Sequence, residues 1–409
     1  MEGPLAGVRV ADFTWAGVGG YCGLLWAMLG AEVIKIETKV RGGTQRASNP
    51  ARRVGVKSNL AEELSRNKKS VLLNLKTDAG VRLAKELVSV SDMTAENFRP
   101  GVMDRLGLGY QDLVRARPDV VMVSMAANGQ SGPDRGVPGY AGIFGALSGL
   151  SSLMGYGGGP PAELRLPADM LAGTMGAVAG VAGLYRRRVT GQGQYIDCAN
   201  RESLGTLIGE YFIAASVGRA QTRAANQVLG RAPYNCYRCA DDPAAAGGSV
   251  GERERWLGIG ITRDEQWTAL CGVLALSALG DDPGLATAEG RWARREEIDA
   301  AISERTRSDP AELLESALQA AGVPAGIVMR PGDLLADGHL GERGKWQVLD
   351  RDGSIPWITF GVPMHFEAAG EAGGYAAPPL GADSMSVLTG LLGYSEADVI
   401  KLQDAEVVA

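Results

Sequence analysis

Short apolar runs alternate with longer helix-period stretches along the first half of the chain. Gly7–Phe13 (GVRVADF) is an apolar run of strand length, which predicts a strand buried on both faces. A glycine-rich turn then opens an apolar helix to about Leu29, and Ala31–Glu37 (AEVIKIE) predicts a second strand. The chain therefore begins with a βαβ unit. Residues 38–68 are polar, basic and irregular, after which Lys69–Lys76 (KSVLLNLK) predicts a strand and Thr77–Val90 a helix. Residues 92–98 (DMTAENF) read as strand and loop, Tyr110–Ala116 as a helix, Asp119–Met125 as a strand, and residues 128–139 (NGQSGPDRGVPG) as turns.

Tyr140–Leu153 has the pattern of a small-residue helix, and Gly155–Pro161 (GYGGGPP) that of a loop. LPADML then starts an Ala/Gly-rich helix to about Arg188, whose small side chains predict close packing on other helices. With the strand around QYIDCA, this alternation is the signature of a doubly wound parallel sheet. Composition changes near residue 220. Residues 225–335 hold a polar insertion (ADDPAAAGGSVGERER), a strand at Trp256–Ile261 and three charged amphipathic helices, which predicts a smaller second domain. The tail after Gly344 returns to strand-like pieces and a final helix. The expected class is α/β, with residues 1–220 forming a large doubly wound domain onto which the segment 345–409 packs back, and residues 225–335 a smaller α+β one.

Composition narrows the function. A chain of 409 residues, 45% hydrophobic and 22% charged, has ample material for buried cores. A net charge of −6 disfavours nucleic acid and anionic membrane as partners, because both demand a concentrated positive field. The longest apolar stretches, Tyr21–Ala31 and Gly173–Tyr185, fall short of the roughly 18 uninterrupted residues of a membrane span. The N-terminus lacks a signal-peptide pattern, and five cysteines without a dense framework agree with a reducing compartment, so a cytoplasmic protein is expected.

Several groups invite chemistry. Gly17-Val18-Gly19-Gly20-Tyr21-Cys22-Gly23 lies between a strand and a helix, but a GxGxxG register would place Cys22 at the third glycine, which fits a tight turn better than a dinucleotide fingerprint. Cys236 and Cys239 form a CxxC with no second ligand pair at zinc spacing, so no metal is expected. His339 and His365 are the only histidines, and no GxSxG occurs, which leaves hydrolase triads unsupported. Asp169 follows Pro167 at the start of the long helix. It is either an N-cap accepting backbone N–H bonds or, with the same geometry, an ionised and partly desolvated nucleophile.

The stretches GVRVADFTWAGVGGY, LGAEVIKIE, NKKSVLLNLKTDAG, AENFRPGVMDRLGLGY, NGQSGP with PGY, PADMLAG, RRRVTGQGQYID, AGVPAG and PPLGADSMSVLTGLLGYSEADVI run in order over nearly the whole chain. Together they resemble the class III (CaiB/BaiF-type) CoA transferases, a family that also includes acyl-CoA racemases. The resemblance implies a Rossmann-like domain made from both chain ends, a smaller domain between, and an interlocked homodimer or a heteromer with a related subunit. It implies no tightly bound cofactor, with coenzyme A entering as part of the substrate. It places the nucleophile on Asp169 and CoA contacts on Gly17, Val18, Leu73, Asn74, Leu75, Lys76, Asn97, Phe98, Arg99, Arg105, Gly139 and Tyr140.

The implied reaction takes CoA from an acyl-CoA to a free carboxylic acid through an aspartyl anhydride and an aspartyl-CoA thioester. Rival readings are a racemase or isomerase of the same fold and a non-catalytic CoA-binding subunit. Members of this family often carry Arg after the KIE strand, where this chain has Thr38 and Lys39, and the racemase GHD segment is here Gly139-Tyr140-Ala141, without its base. The tetraglycine loop of the oxalate enzymes is missing too, and GYGGGPP is the candidate cover beside Asp169. The opening DFTW resembles members acting on aryl-substituted succinates with succinyl-CoA as donor. Trp15, Tyr21 and Trp26 are accordingly either pocket or core residues.

Overall fold

The computed structural model describes residues 3–39, 60–219, 223–243, 253–349, 357–370 and 373–408. The basic stretch 40–59 and residues 244–252 of the polar insertion lie outside them. Two compact units result: one comprises Met1–Ser152, Ala162–Gln221 and Gly344–Ala409, the other Leu153–Pro161 and Thr222–Arg343. The glycine-rich segment at 155–161 thus belongs with the second unit, and that unit runs past residue 335.

The first unit is built on six parallel strands, β1 (Arg9–Asp12), β2 (Glu32–Glu37), β3 (Lys69–Leu72), β4 (Met93–Glu96), β5 (Val121–Ser124) and β6 (Gln194–Asp197), in the order β3-β2-β1-β4-β5-β6. The strand alternation decides which helices cover each face. Ala11, Ile34, Val71 and Met122 point to a core completed by helix α2 (Asp78–Ser89) and, from the far end of the chain, Val387, Leu388 and Val399. Val10, Val33, Ala95 and Val123 point oppositely, to a core with helices α1 (Ala16–Met28) and α4 (Arg165–Thr190). Sheets covered on both faces need apolar residues at consecutive positions, which is why the strands read as continuous runs. The tail adds a hairpin, β10 (Trp346–Leu349) with β11 (Trp357–Phe360), and helices α5 (Ser384–Leu392) and α6 (Glu396–Asp404).

Helix α4 lies against α1 through glycines. A Cβ at Gly173 would stand 2.5 Å from the Val18 carbonyl oxygen, and one at Gly180 would collide with the Trp26 ring. Trp26 itself is fully buried and donates from Nε1 to the Ala177 carbonyl at 3.1 Å, so it is a core residue and not part of an acyl pocket. Averaged over 18 residues, α4 is apolar enough (mean hydropathy 1.2) and long enough to cross a membrane, a property its glycines disguise; its inner face packs as a core helix does. The predicted helix at 140–153 is split into α3 (Ala141–Leu147) and Leu150–Leu153, because Gly149 adopts φ +88°.

The second unit has an antiparallel sheet, β7 (Tyr234–Arg238), β8 (Trp256–Gly260) and β9 (Ala325–Ile327), in that order. Its three longest described helices, Asp264–Val273, Arg295–Thr306 and Ala311–Ala320, pack Leu270, Ile298, Ile302 and Leu314 onto Leu257 and Ile259. Cys239 lies in that core and Cys236 at its margin.

Candidate active site

In the order β3-β2-β1-β4-β5-β6 the chain leaves β1 toward one sheet edge and returns through β4 on the other side. The loops after β1 and β4 therefore diverge and leave a crevice at the carboxyl ends of the strands. The two loops are clasped by one side chain: Asn97 accepts the Trp15 N–H at Oδ1 and donates from Nδ2 to the Trp15 carbonyl, both at 2.6 Å. Beneath the first loop, the fully buried Asp12 accepts from Thr14 N at 2.8 Å and pairs with the buried Lys68 ammonium at 3.1 Å. Burial opposes ionisation of Asp12, but Lys35, Lys68 and the Thr14 hydrogen bonds outweigh it and hold its carboxyl below the usual range. The turn they brace places Ala16 at φ +56°, a left-handed conformation that costs an L residue on the order of 1–3 kcal/mol.

A cleft of about 270 Å³ opens here, and its described lining residues all belong to the first unit. Trp15, Ala16, Gly17 and Val18 form one wall, Asn97 to Pro100 a second, and Arg135 with Val137 to Tyr140 a third. Asp169 projects into it from α4. It is not an N-cap: the helix begins at Arg165 with Leu164 at the cap, because Pro167 is tolerated in a first turn, where its missing N–H would have no partner anyway. Asp169 thus sits in the second turn. Among the described residues its half-buried carboxylate accepts no hydrogen bond and joins no ion pair. Burial pushes its carboxyl up to about 6, so the helix terminus does not lower it as expected, yet it stays mostly ionised at neutral pH.

Gly17 fits because a Cβ there would collide with the Asp169 carboxylate. Helices α1 and α3 both begin beside this cleft without a side-chain cap, which leaves their first backbone N–H groups without an intrahelical partner.

Of the residues drawn from the resemblance, Gly17, Val18, Asn97, Phe98, Arg99, Gly139 and Tyr140 line this cleft with Asp169. Leu73, Asn74, Leu75, Lys76 and Arg105 do not. Leu73 is fully buried in the core, Asn74 donates to the Glu406 carbonyl at 3.2 Å, and Arg105 is exposed on the short helix Val102–Arg105. Trp15 is at the cleft and Tyr21 packs beside Leu24 and Leu64, away from it. His339 and His365 lie elsewhere; His365 Nδ1 is 3.3 Å from Lys345 Nζ. GYGGGPP is tied within the second unit, where Arg223 donates to the Tyr156 and Gly159 carbonyls at 3.1 and 2.6 Å.

Sequence reasoning missed two residues beside the cleft. Arg135 was hidden in a turn-rich stretch, and Glu96 in a strand. Glu96 is almost wholly buried, accepts from Phe98 N at 2.7 Å and from the Ser124 hydroxyl, and borders a neighbouring cavity of about 520 Å³ that shares Arg99 and Arg135 with the cleft. Burial pushes its carboxyl up to about 7 against those two hydrogen bonds.

A doubly wound parallel sheet covered in part by the C-terminal helices, with a carboxylate at its switch point that has no partner among the described residues, is the architecture expected of a class III CoA transferase. The chain belongs to CoA-transferase family III, whose model it matches over residues 5–384, and is a CoA-transferring enzyme. It is 32% identical over 412 residues to the succinyl-CoA–D-citramalate CoA-transferase of Chloroflexus aurantiacus, covering 99% of this chain and 98% of that one. With the beta subunit of succinyl-CoA–L-malate CoA-transferase from the same organism it shares 29% over 412 residues, again covering 99% and 98%. Among solved structures, a CaiB/BaiF family protein from Brucella suis matches with a TM-score of 0.82 at 26% identity, over 96% of this chain and all of that one.

Proposed function

We propose that this enzyme moves CoA from an acyl-CoA to a free carboxylic acid with Asp169 as the covalent relay, and that succinyl-CoA is its donor. The observation that carries the reading is the half-buried, unpartnered Asp169 carboxylate on the cleft wall. An Asp169 oxygen attacks the thioester carbonyl, the C–S bond breaks, and CoA thiolate leaves a mixed anhydride. The thiolate then attacks the aspartyl carbonyl, which releases the donor acid and forms an aspartyl-CoA thioester. The acceptor carboxylate runs the same steps in reverse. Each step conserves the acyl group's activation, so no ATP is consumed. The uncapped N–H groups of α1 and α3 are the oxyanion donors.

A carboxylate already short of solvation is a better nucleophile than one held by hydrogen bonds, which suits this role. The donor assignment draws on the succinyl-CoA relatives. The five free cysteines agree with a reducing cytoplasm. The exposed apolar face of α4 (Val178, Val181, Tyr185, Val189), with Phe212 and Ile213 nearby in sequence, supports a dimeric assembly, either interlocked with itself or with a related chain.

The test is intact-mass spectrometry of the isolated chain with succinyl-CoA. An adduct of CoA mass on the Asp169 peptide is expected, and Asp169→Asn should abolish both adduct and transfer. Near wild-type transfer by that variant would end the assignment. Deuterium uptake at the acyl α-carbon without CoA exchange would instead mark a racemase, and no adduct on the isolated chain a subunit that needs a catalytic partner.

A further inference from the structure

We propose that Arg135 reads the far carboxylate of a dicarboxylic acyl group, which makes the Asp169 cleft selective for CoA esters and acids carrying a second carboxylate. This deepens the reading of Asp169 as the relay and rests on it.

Among the described residues, the charged side chains lining the cleft are Asp169, Arg99 and Arg135, amid mostly apolar walls. Both guanidiniums line the same cleft as the reacting carboxylate. Arg99 falls in the Asn97–Arg99 segment that the resemblance assigns to CoA, which leaves Arg135 uncommitted.

Its neighbourhood keeps it so. The adjacent carboxylate, Asp134, is engaged by Arg201 at 2.9 Å, and among the described residues the Arg135 guanidinium has no hydrogen-bond or ion-pair partner. The loop that carries it is pinned: Gln130 N donates to Asp197 at 2.9 Å, Val137 N to the Asp134 carbonyl at 2.9 Å, and Asn128 Nδ2 to the Asp134 and Val137 carbonyls at 3.4 Å. An exposed guanidinium without a partner among the described residues, carried on a braced loop, is available to fork onto a carboxylate. The cleft holds about 270 Å³, some nine water volumes at roughly 30 Å³ each, which suits a short acyl chain. Donor and acceptor occupy this space in turn, so one arginine reads both.

The test uses the full chain and two donors of equal chain length, succinyl-CoA and butyryl-CoA, with the matching free acids as acceptors. The wild type should favour the succinyl ester, and Arg135→Ala should shrink the succinyl-to-butyryl ratio of kcat/KM roughly 10- to 100-fold, the usual reach of a charge-assisted hydrogen bond. Arg135→Lys should restore part of that ratio, and circular dichroism checks that each variant folds. Equal losses on both esters would place Arg135 on CoA itself and overturn the proposal, as would a wild type indifferent between them. If neither ester yields the Asp169 adduct, the relay falls as well; if both yield it equally, only the role of Arg135 falls.

Discussion

Asp169 and Glu96 are carboxylates whose environments raise them, and they answer pH differently. Transfer requires ionised Asp169, so kcat/KM should fall about tenfold per pH unit below about 6, read from a pH–rate profile. The same carboxylate is poorly solvated, and Asp169→Asn should therefore be inactive yet more stable at pH 7. The gain should be on the order of 1 kcal/mol after allowing for solvent on its open side, measured by urea unfolding.

Glu96 binds its proton more tightly folded (about 7) than unfolded (4.5), so its contribution is present below pH 4.5 and lost as pH rises through 7. Glu96→Gln should accordingly stabilise the protein at pH 8 by up to about 3 kcal/mol and have no such benefit at pH 4.5. A benefit independent of pH would sink this account. Neither shift was legible in the sequence, because each depends on how much water the fold removes. Asp169 could be singled out from its neighbours in the chain; that it has no partner could not.

Among the elements, the strands of the large sheet were the most legible, since burial on both faces leaves adjacent apolar residues such as Val10-Ala11, Val33-Ile34 and Val121-Met122-Val123. The start of α4 was misjudged because Pro167 resembles a boundary, while a first turn accepts it. Strands β7 and β9 went unread: Tyr234–Arg238 carries polar residues, and Ala325–Ile327 is too short to show a period. The small residues of α4 did announce close packing, and the structure gives it a partner in α1. Gly180→Leu should force Trp26 from its site and cost about 3 kcal/mol or more, read as a lower urea midpoint. On the outer face of the same helix, Val178→Ala should stay within about 0.5 kcal/mol if the chain is studied as a monomer.

At the scale of the whole molecule, strand order was not readable from periodicity, because parallel pairing joins residues far apart in the chain; the alternation of strands and helices announced only a doubly wound parallel sheet. The exposed apolar face of α4 was equally hidden, since an apolar residue in the sequence does not say whether its own chain covers it. If α4 and the helix Gly209–Ser216 meet a second subunit, then Val178→Lys combined with Ile213→Lys should lower the mass measured by light scattering toward that of one chain. An unchanged dimer would move the interface elsewhere.

The first unit draws its last layer from residues 384–408, which cover the face bearing Ala11, Ile34 and Val71. During synthesis, then, the opening strands wait with part of that face uncovered beside α2 until the ribosome has delivered the final helices, while the second unit already has its own strands and helices to close upon. Truncation before Val387 should leave a nascent product that chaperones hold and that clumps once released.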